Sequence, residues 1–199
     1  DAPAGPSELL ALLDSSADLD LVVREMLAQA EHDPAAAVVA LVLDGVGSQL
    51  LSRLLAAVDR EPRAGIIREA LATRGAILTA TNREEAISFA NAWAPEHLLL
   101  ATRAAEDFLP SLRNAGTIFV GSPSSVAFGD YMTGANHVLP TGGLARTYSG
   151  LSTLDFVRWT TWQEVSPEAA ARLSTDVATL AESEGLPAHA AAARAWSPR

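Results

Sequence analysis

Short apolar runs alternate along the chain with longer segments in which apolar residues recur every three or four positions. The runs at 9–13, 38–43, 76–79, 98–101 and 117–120 have the length of buried strands, and the segments at 17–32, 48–58, 62–73, 83–93 and 104–114 have the helical period. This alternation predicts an α/β fold, a parallel Rossmann-like sheet with helices on both faces. Ligands of such sheets bind at the carboxyl ends of the strands, so we expect a site there.

The pattern changes after Val120. Residues 121–148 are rich in Gly and Pro, and a loop of that length inside a compact domain is usually functional or mobile. From residue 152 onward the sequence predicts helix, with Pro167 at a helix start and residues 185–187 as a break. We therefore predict an α/β domain over 1–150, which contains the active-site loop 121–148, and a helical tail over 151–199. The tail has too little apolar variety to form a core alone, so it should pack on the main domain or on a second subunit.

The composition of the chain limits its partners and the types of catalysis that it can carry out. The chain has 199 residues, of which 49% are hydrophobic, and a formal charge of −10. This acidic balance disfavours nucleic acid and anionic membranes as partners, and the longest apolar stretch, 35–43, is far short of the ~20 residues that cross a bilayer. The chain contains neither Cys nor Lys, which excludes thiolate and Schiff-base catalysis. Catalysis must use Asp, Glu, His, Ser and Arg.

The same features suggest a compartment. Absence of Cys suits a reducing cytoplasm, and residues 1–7 show neither the basic nor the apolar segment of a secretory signal, so we expect a cytoplasmic protein. The chain opens on Asp without an initiator Met. Such a start is expected of a processed product or of a fragment of a longer chain.

Two candidate pairs carry histidine. Gln29 and His32 stand three residues apart near the end of a predicted helix, where they can share a metal ion, although a histidine at a helix C-terminus is also favoured by the helix dipole alone. Glu96 and His97 stand where a predicted helix ends and a strand begins. There they can form an acid/base couple, or simply provide a polar start to the strand.

Two further candidate segments lie downstream. Asp130 and His137 fall within residues 129–143, where glycines allow the backbone to approach a ligand closely; a purely structural glycine loop is the alternative. His189 lies between two predicted helices, as a ligand or as a capping or surface residue. If Gln29, His32, Asp130 and His189 converge, they offer two nitrogens and two oxygens to Zn²⁺ or another borderline divalent ion.

The order of these motifs carries a family resemblance. The matching stretches are residues 3–8, 29–32, 95–98, 129–131, 136–141, 145–146, 149–151 and 186–189. They follow one another over essentially the whole chain, and the phrase around Asp130 and His137 is highly specific. On these residues the chain resembles the C-terminal half of the histidinol dehydrogenase family. Ala94 departs from the pattern, because Ser or Gly is common there.

The resemblance implies an activity and a set of roles. That family oxidises L-histidinol to L-histidine by two hydride transfers to NAD, through a bound aldehyde, with one zinc ion per site. By motif, the zinc ligands would be Gln29, His32, Asp130 and His189. Glu96 and His97 would be the catalytic proton-transfer residues, and the substrate contacts would be Ser7, His137 and Glu184.

The resemblance also implies partners. Members are homodimers whose helical tail crosses to the partner subunit, so Glu184 and His189 would complete the neighbouring site. Members are also about twice as long, and the N-terminal half carries the NAD site, which we expect to lie outside this chain. A short zinc-binding homologue that is not an oxidoreductase, or one that acts on another amino alcohol, is the alternative.

Overall fold

Five parallel strands form the centre of the chain. The computed structural model describes residues 5–197, so Pro3 and Ala4 of the first matching stretch lie outside the described residues. The strands are β1 (Glu8–Leu13), β2 (Ala37–Val42), β3 (Gly75–Thr79), β4 (His97–Ala101) and β5 (Thr117–Val120). They are ordered β3-β2-β1-β4-β5, and every neighbouring pair is parallel. The predicted α/β fold class is therefore confirmed.

The two central strands set the register of the sheet. Leu9 in β1 lies opposite Val38 of β2 on one side and opposite His97 of β4 on the other. All six residues of β1 and all five of β4 are buried. Burial on both faces explains why these strands are continuous apolar runs rather than alternating ones.

Helices cover both faces of the sheet, as the sequence predicts. On one face, odd-numbered residues of β1 and β4 such as Leu9 and Leu99 pack against α1 (Leu19–Ala30), α2 (Gly47–Val58) and α3 (Ala64–Arg74). On the other, even-numbered residues such as Leu10 and Leu98 pack against α4 (Arg83–Trp93) and a 3-10 helix at Ala105–Ser111. The prediction of an α-helix at 104–114 is therefore wrong, because this segment forms a 3-10 helix. Pro110 lies inside it and provides no N–H for an α-helical hydrogen bond.

The Gly- and Pro-rich segment after β5 contains short helices. Residues Val126–Tyr131 form α5, and Leu144–Arg146 form one 3-10 turn. The Glu25 carboxylate of α1 accepts a hydrogen bond at 3.0 Å from the N–H of Val126, the first residue of α5. This contact fixes the start of α5 against the α1 face of the sheet.

A separate helical unit follows the α/β unit, and the division falls between Phe156 and Val157. It contains α6 (Pro167–Ser183) and α7 (Pro187–Arg194), with Pro167 in the first turn of α6 and a break at 184–186, as predicted. Residues 157–166 are not helical, contrary to expectation. They are rich in Thr, Val and Trp, whose branched and aromatic side chains lose rotamer freedom in a helix.

Membrane insertion of a helix finds no support in these elements. Across residues 5–197, no helix combines the length and the apolar character that a transmembrane span needs.

Candidate functional site

The connection from β1 to β2 brings the first candidate pair to the amino edge of the sheet. Because a helix between two parallel strands runs antiparallel to them, α1 ends where β2 begins. Gln29 lies in the last turn of α1 and is buried, whereas His32 follows the helix and is exposed. The N–H of His32 donates to the carbonyl of Gln29 at 3.4 Å, which keeps the two residues together.

Glu96 and His97 stand at the same edge, at the start of β4, and Glu8 stands beside them at the start of β1. The Glu8 N–H donates to Glu96 Oε2 at 2.8 Å, and the Glu96 N–H donates to Glu8 Oε2 at 3.3 Å. All three side chains are at most 7% exposed. The acid/base candidates are therefore held in a buried network that spans the two central strands.

The ring of His97 is oriented by that network. His97 Nδ1 lies 3.0 Å from the main-chain carbonyl oxygen of Glu8 and 3.4 Å from Glu96 Oε2. Both partners are acceptors, so the proton of the neutral ring resides on Nδ1 and the lone pair on Nε2. Nε2 is buried, and no hydrogen-bond partner for it lies among the described residues.

Helix α5 carries Asp130 back from the carboxyl ends of the strands to their amino ends. Asp130 Oδ1 lies 3.6 Å from His97 Nε2. Gly129 lets the helix approach Phe119 in β5 closely, because a Cβ at this position would stand only 2.6 Å from the Phe119 ring. The Phe119 ring in turn lies 5.9 Å from the His97 ring, centre to centre.

These groups enclose one cavity of about 290 Å³. Six of the predicted site residues line it: Ser7, His32, Glu96, His97, Asp130 and His137. Tyr131, which the sequence analysis did not single out, lines it as well. The structure thus brings together both catalytic candidates, two of the three substrate candidates and two of the four ligand candidates.

The ionisation of His97 and of Glu8 depends on the groups that surround them. Burial favours the neutral imidazole, but the hydrogen bond and charge of Glu96, the Glu8 carbonyl and the charge of Asp130 outweigh it and raise the pKa of His97. Burial also raises the pKa of the Glu8 carboxyl group, which hydrogen bonds from Gly142 and Glu96 only partly counteract. The only charged side chains that line the cavity, apart from its histidines, are carboxylates. A cationic ligand is therefore favoured.

The position of the site differs from the sequence-based expectation. We expected it at the carboxyl ends of the strands, but Glu8, His97 and the end of α1 all stand at the amino ends. The physical reason is the reversal at α5, which returns the loop after β5 to the opposite edge. A pattern of strands and helices does not report such a reversal.

Three of the four predicted metal ligands lie within the α/β unit. His32 and Asp130 line the cavity, and the buried Gln29 amide nitrogen has no hydrogen-bond partner within residues 5–197. Buried polar atoms are normally paired, so this orphan and the one at His97 Nε2 mark a place that a ligand completes. The Gln29 NH₂ group can only donate a hydrogen bond, so a metal ion would have to bind the oxygen of that amide. Imidazole, carboxylate and amide donors fit Zn²⁺ in type. No three His, Asp or Glu side chains in the described part of the chain form a metal cluster alone.

Two candidates lie in the helical unit. Glu184 caps the C-terminus of α6, and His189 is in the first turn of α7. Both side chains are exposed, and only four residues separate them along the chain. Their assignment as substrate contact and metal ligand stays a prediction.

Sequence reasoning also missed Glu8. Its backbone and side chain contact both catalytic candidates, yet its neighbours in β1 are all apolar. The available signal was an acidic residue at the start of a strand that is otherwise fully buried. Such a residue needs hydrogen-bond donors around it.

Comparison with known proteins gives a consistent result. The family model described as histidinol dehydrogenase matches residues 1–196. The histidinol dehydrogenase of Methanothermobacter thermautotrophicus is 47% identical over 192 residues, which cover 96% of this chain and 45% of that protein. That of Methanopyrus kandleri is 45% identical over 200 residues, or 98% of this chain and 46% of that protein.

A solved structure agrees in fold. The crystal structure of histidinol dehydrogenase from Elizabethkingia anophelis matches with a TM-score of 0.92 and 36% identity, and covers 98% of this chain and 45% of that one. The chain therefore spans about 45% of the length of these relatives.

Proposed function

Since the chain belongs to the histidinol dehydrogenase family, we propose that the protein which contains it oxidises L-histidinol to L-histidine in histidine biosynthesis, with Zn²⁺ and two NAD. The observation that carries the proposal is the environment of His97. Its proton is held on Nδ1, and its free Nε2 is buried toward a carboxylate-lined cavity.

His97 is the base of the first oxidation. Nε2 would take the proton of the substrate hydroxyl group when the alcohol is oxidised to the aldehyde. The Glu8 carbonyl and Glu96 stabilise the resulting imidazolium, because both accept from Nδ1 at 3.0 and 3.4 Å. No rotation of the ring is needed between its neutral and protonated forms.

Glu96 serves the second oxidation. Its contacts with Glu8 and His97 both use Oε2, so Oε1 is the oxygen left to take a proton from water. The water oxygen would then bond to the aldehyde carbon, and oxidation of this hydrate would give the carboxylic acid. Glu96 and His97 line the same cavity, so one substrate carbon can meet each of them in turn.

Gln29, His32, Asp130 and the partner's copy of His189 would hold the metal ion. When bound, zinc holds the imidazole and amino nitrogens of the substrate and so orients its carbinol carbon, while NAD, bound outside this chain, accepts the electrons. Ser7, His137 and Glu184 would contact the substrate. The carboxylates along the cavity favour the cationic amino group of histidinol over an anionic compound.

The site would be shared between subunits. A homodimer in which each tail crosses to its partner brings Glu184 and His189 to the neighbouring cavity, and a cytoplasmic location suits a cysteine-free biosynthetic enzyme. Exposure of both side chains in the helical unit supports this assignment, because each is available to another surface.

Zinc titration tests the ligand set. Calorimetry on the chain should show affinity reduced at least tenfold by His32→Ala and by His189→Ala, since each removes one of four ligands. His137→Ala is the matched control, because it removes a histidine that contacts substrate only. Unchanged affinity in both ligand variants would refute the metal assignment.

Subunit mixing tests sharing of the site in the complete gene product. His32→Ala and His189→Ala subunits, each inactive alone, should recover about a quarter of wild-type NADH production when mixed, because half of the dimers then hold one intact site of two. If subunit exchange is verified and no NADH production is recovered, the shared site is contradicted. A wild-type protein that does not reduce NAD with histidinol would overturn the proposed function.

A further inference from the structure

Glu8 is a buried acid whose carboxylate has no role in the proposed reaction. It is the first residue of β1 and is 7% exposed. Its carboxylate accepts hydrogen bonds from two main-chain N–H groups: Oε1 accepts from Gly142 at 3.0 Å, and Oε2 accepts from Glu96 at 3.3 Å. One side chain thus joins the catalytic pair to the end of the glycine-rich loop.

The other polar groups of Glu8 face the same partners. Its N–H donates to Glu96 Oε2, and its carbonyl oxygen accepts from His97 Nδ1. All four polar groups of this residue, two on the main chain and two on the side chain, are therefore engaged by Glu96, His97 or Gly142. A residue needed only for strand pairing would use its main chain alone.

We propose that Glu8 is a positioning residue that fixes Glu96 and His97 relative to the loop segment ending at Gly142. The inference rests on the proposed function, since it is defined by the reaction of that pair. The segment 132–141 joins α5 to Gly142 and carries His137, which lines the same cavity as the pair. Holding Gly142 sets one end of that wall.

The role requires a carboxylate. Both partners are N–H donors, and a carboxylate presents an acceptor oxygen to each. An amide of the same shape presents one oxygen and one NH₂ group, so one donor would face another donor and stay unpaired in a buried place. Glu8→Gln consequently breaks one of the two links while it conserves size.

The experiment uses the complete, zinc-loaded gene product that contains this chain. Glu8→Gln is compared with Glu69→Gln, which removes the same charge from the exposed surface of α3. Circular dichroism and zinc content establish that each variant is folded and loaded. The readouts are kcat and KM for histidinol, and hydrogen exchange of the peptide that covers residues 138–145.

The expected result is a kcat lowered about tenfold to a hundredfold by Glu8→Gln, as loss of a charged hydrogen bond predicts, with zinc content unchanged. Exchange in 138–145 should rise in the same variant and stay at the wild-type rate in Glu69→Gln. Glu8→Asp retains two acceptor oxygens and should recover part of the lost kcat, and it replaces Glu8→Gln as the decisive variant if the amide does not fold.

Two results would overturn the inference, and they are distinguishable from failure of the proposed function. One is an active wild-type protein whose Glu8→Gln variant keeps kcat within twofold of Glu69→Gln, or, where Glu8→Gln does not fold, whose Glu8→Asp variant does so. The other is a large loss of kcat with unaltered exchange in 138–145, which would deny the link to the loop. A wild-type protein inactive on histidinol removes the proposed function first, and the inference with it.

Discussion

Gly116 provides the sharpest steric test of the site. It precedes β5 and packs against the main chain of Glu96, where an added Cβ would lie 2.5 Å from the Glu96 carbonyl oxygen and 3.2 Å from Leu139 Cβ. Atoms of this kind do not approach closer than about 3 Å, so Gly116→Ala must push β5 away from Glu96 by roughly 0.5–1 Å. The same carbonyl accepts the N–H of Thr117 at 2.9 Å, and that bond must stretch.

The magnitude follows from these contacts. Overpacking costs about 1–3 kcal/mol and a weakened hydrogen bond about 0.5–1.5 kcal/mol, whereas reduced entropy of the unfolded chain returns about 0.4–1 kcal/mol. We expect Gly116→Ala to lower the free energy of unfolding by about 1–4 kcal/mol. Because the displaced group is the backbone of Glu96, kcat of the complete protein should fall with it.

Urea unfolding of the chain, followed by circular dichroism, measures the loss. Gly65→Ala is the matched control: it lies in α3, nothing stands within 4 Å of its added Cβ, and alanine should raise stability by about 0.5–1 kcal/mol. A Gly116→Ala chain as stable as the Gly65→Ala chain would refute the claim that close approach to Glu96 requires glycine.

Three further predictions concern the base and two helix starts. In the metal-free chain, followed by NMR, the imidazole of His97 should titrate with a midpoint above the ordinary histidine value of about 6.5, because the contacts with Glu96 and Asp130 outweigh burial and raise its pKa; a midpoint below that value would contradict this effect of the two carboxylates. Glu25→Ala removes the carboxylate that accepts from the first residue of α5, so it should lower the free energy of unfolding in urea by about 0.5–2 kcal/mol and weaken zinc binding. If neither the stability nor the zinc affinity changes, Glu25 does not position Asp130. Asp18→Ala removes the N-cap of α1, which accepts from two main-chain N–H groups, and should cost about 1 kcal/mol with zinc affinity retained; equal stability would show that water replaces the cap.

The strands and most of the helices were predictable because their signals are local. Each of the five strands begins and ends within one residue of its apolar run, because the interior of a parallel strand that is covered on both faces is apolar, and the polar residues Glu8 and His97 stand only at strand starts. Helix α4 was predicted with its observed bounds, and its start is marked by Asn82, whose side chain caps the helix. Local rules failed where aromatic or Pro residues changed the backbone, as at Pro110.

The site was predictable only in its parts. Residue type and spacing singled out Glu96, His97, Asp130 and His32, but their meeting depends on α5 turning back across the sheet, which is a tertiary event. The role of Glu8 depends on a contact with Gly142, 134 residues later in the chain. Sequence patterns with periods of two to four residues carry no information at that distance.

The pairing of β1 with β4 fixes the position of His97 in the candidate site relative to Glu8. Leu9 faces His97 across the ladder, and Leu10, Ala11, Leu12 and Leu13 repeat that alignment without interruption. A slip of one residue between these strands would turn the imidazole to the opposite face of the sheet and force every leucine of the strand to repack in the opposite core, which the close packing of both cores disfavours. Substitutions in the glycine loop can thus alter affinity gradually, whereas substitutions that disturb the alignment of the central strands should abolish folding and activity together.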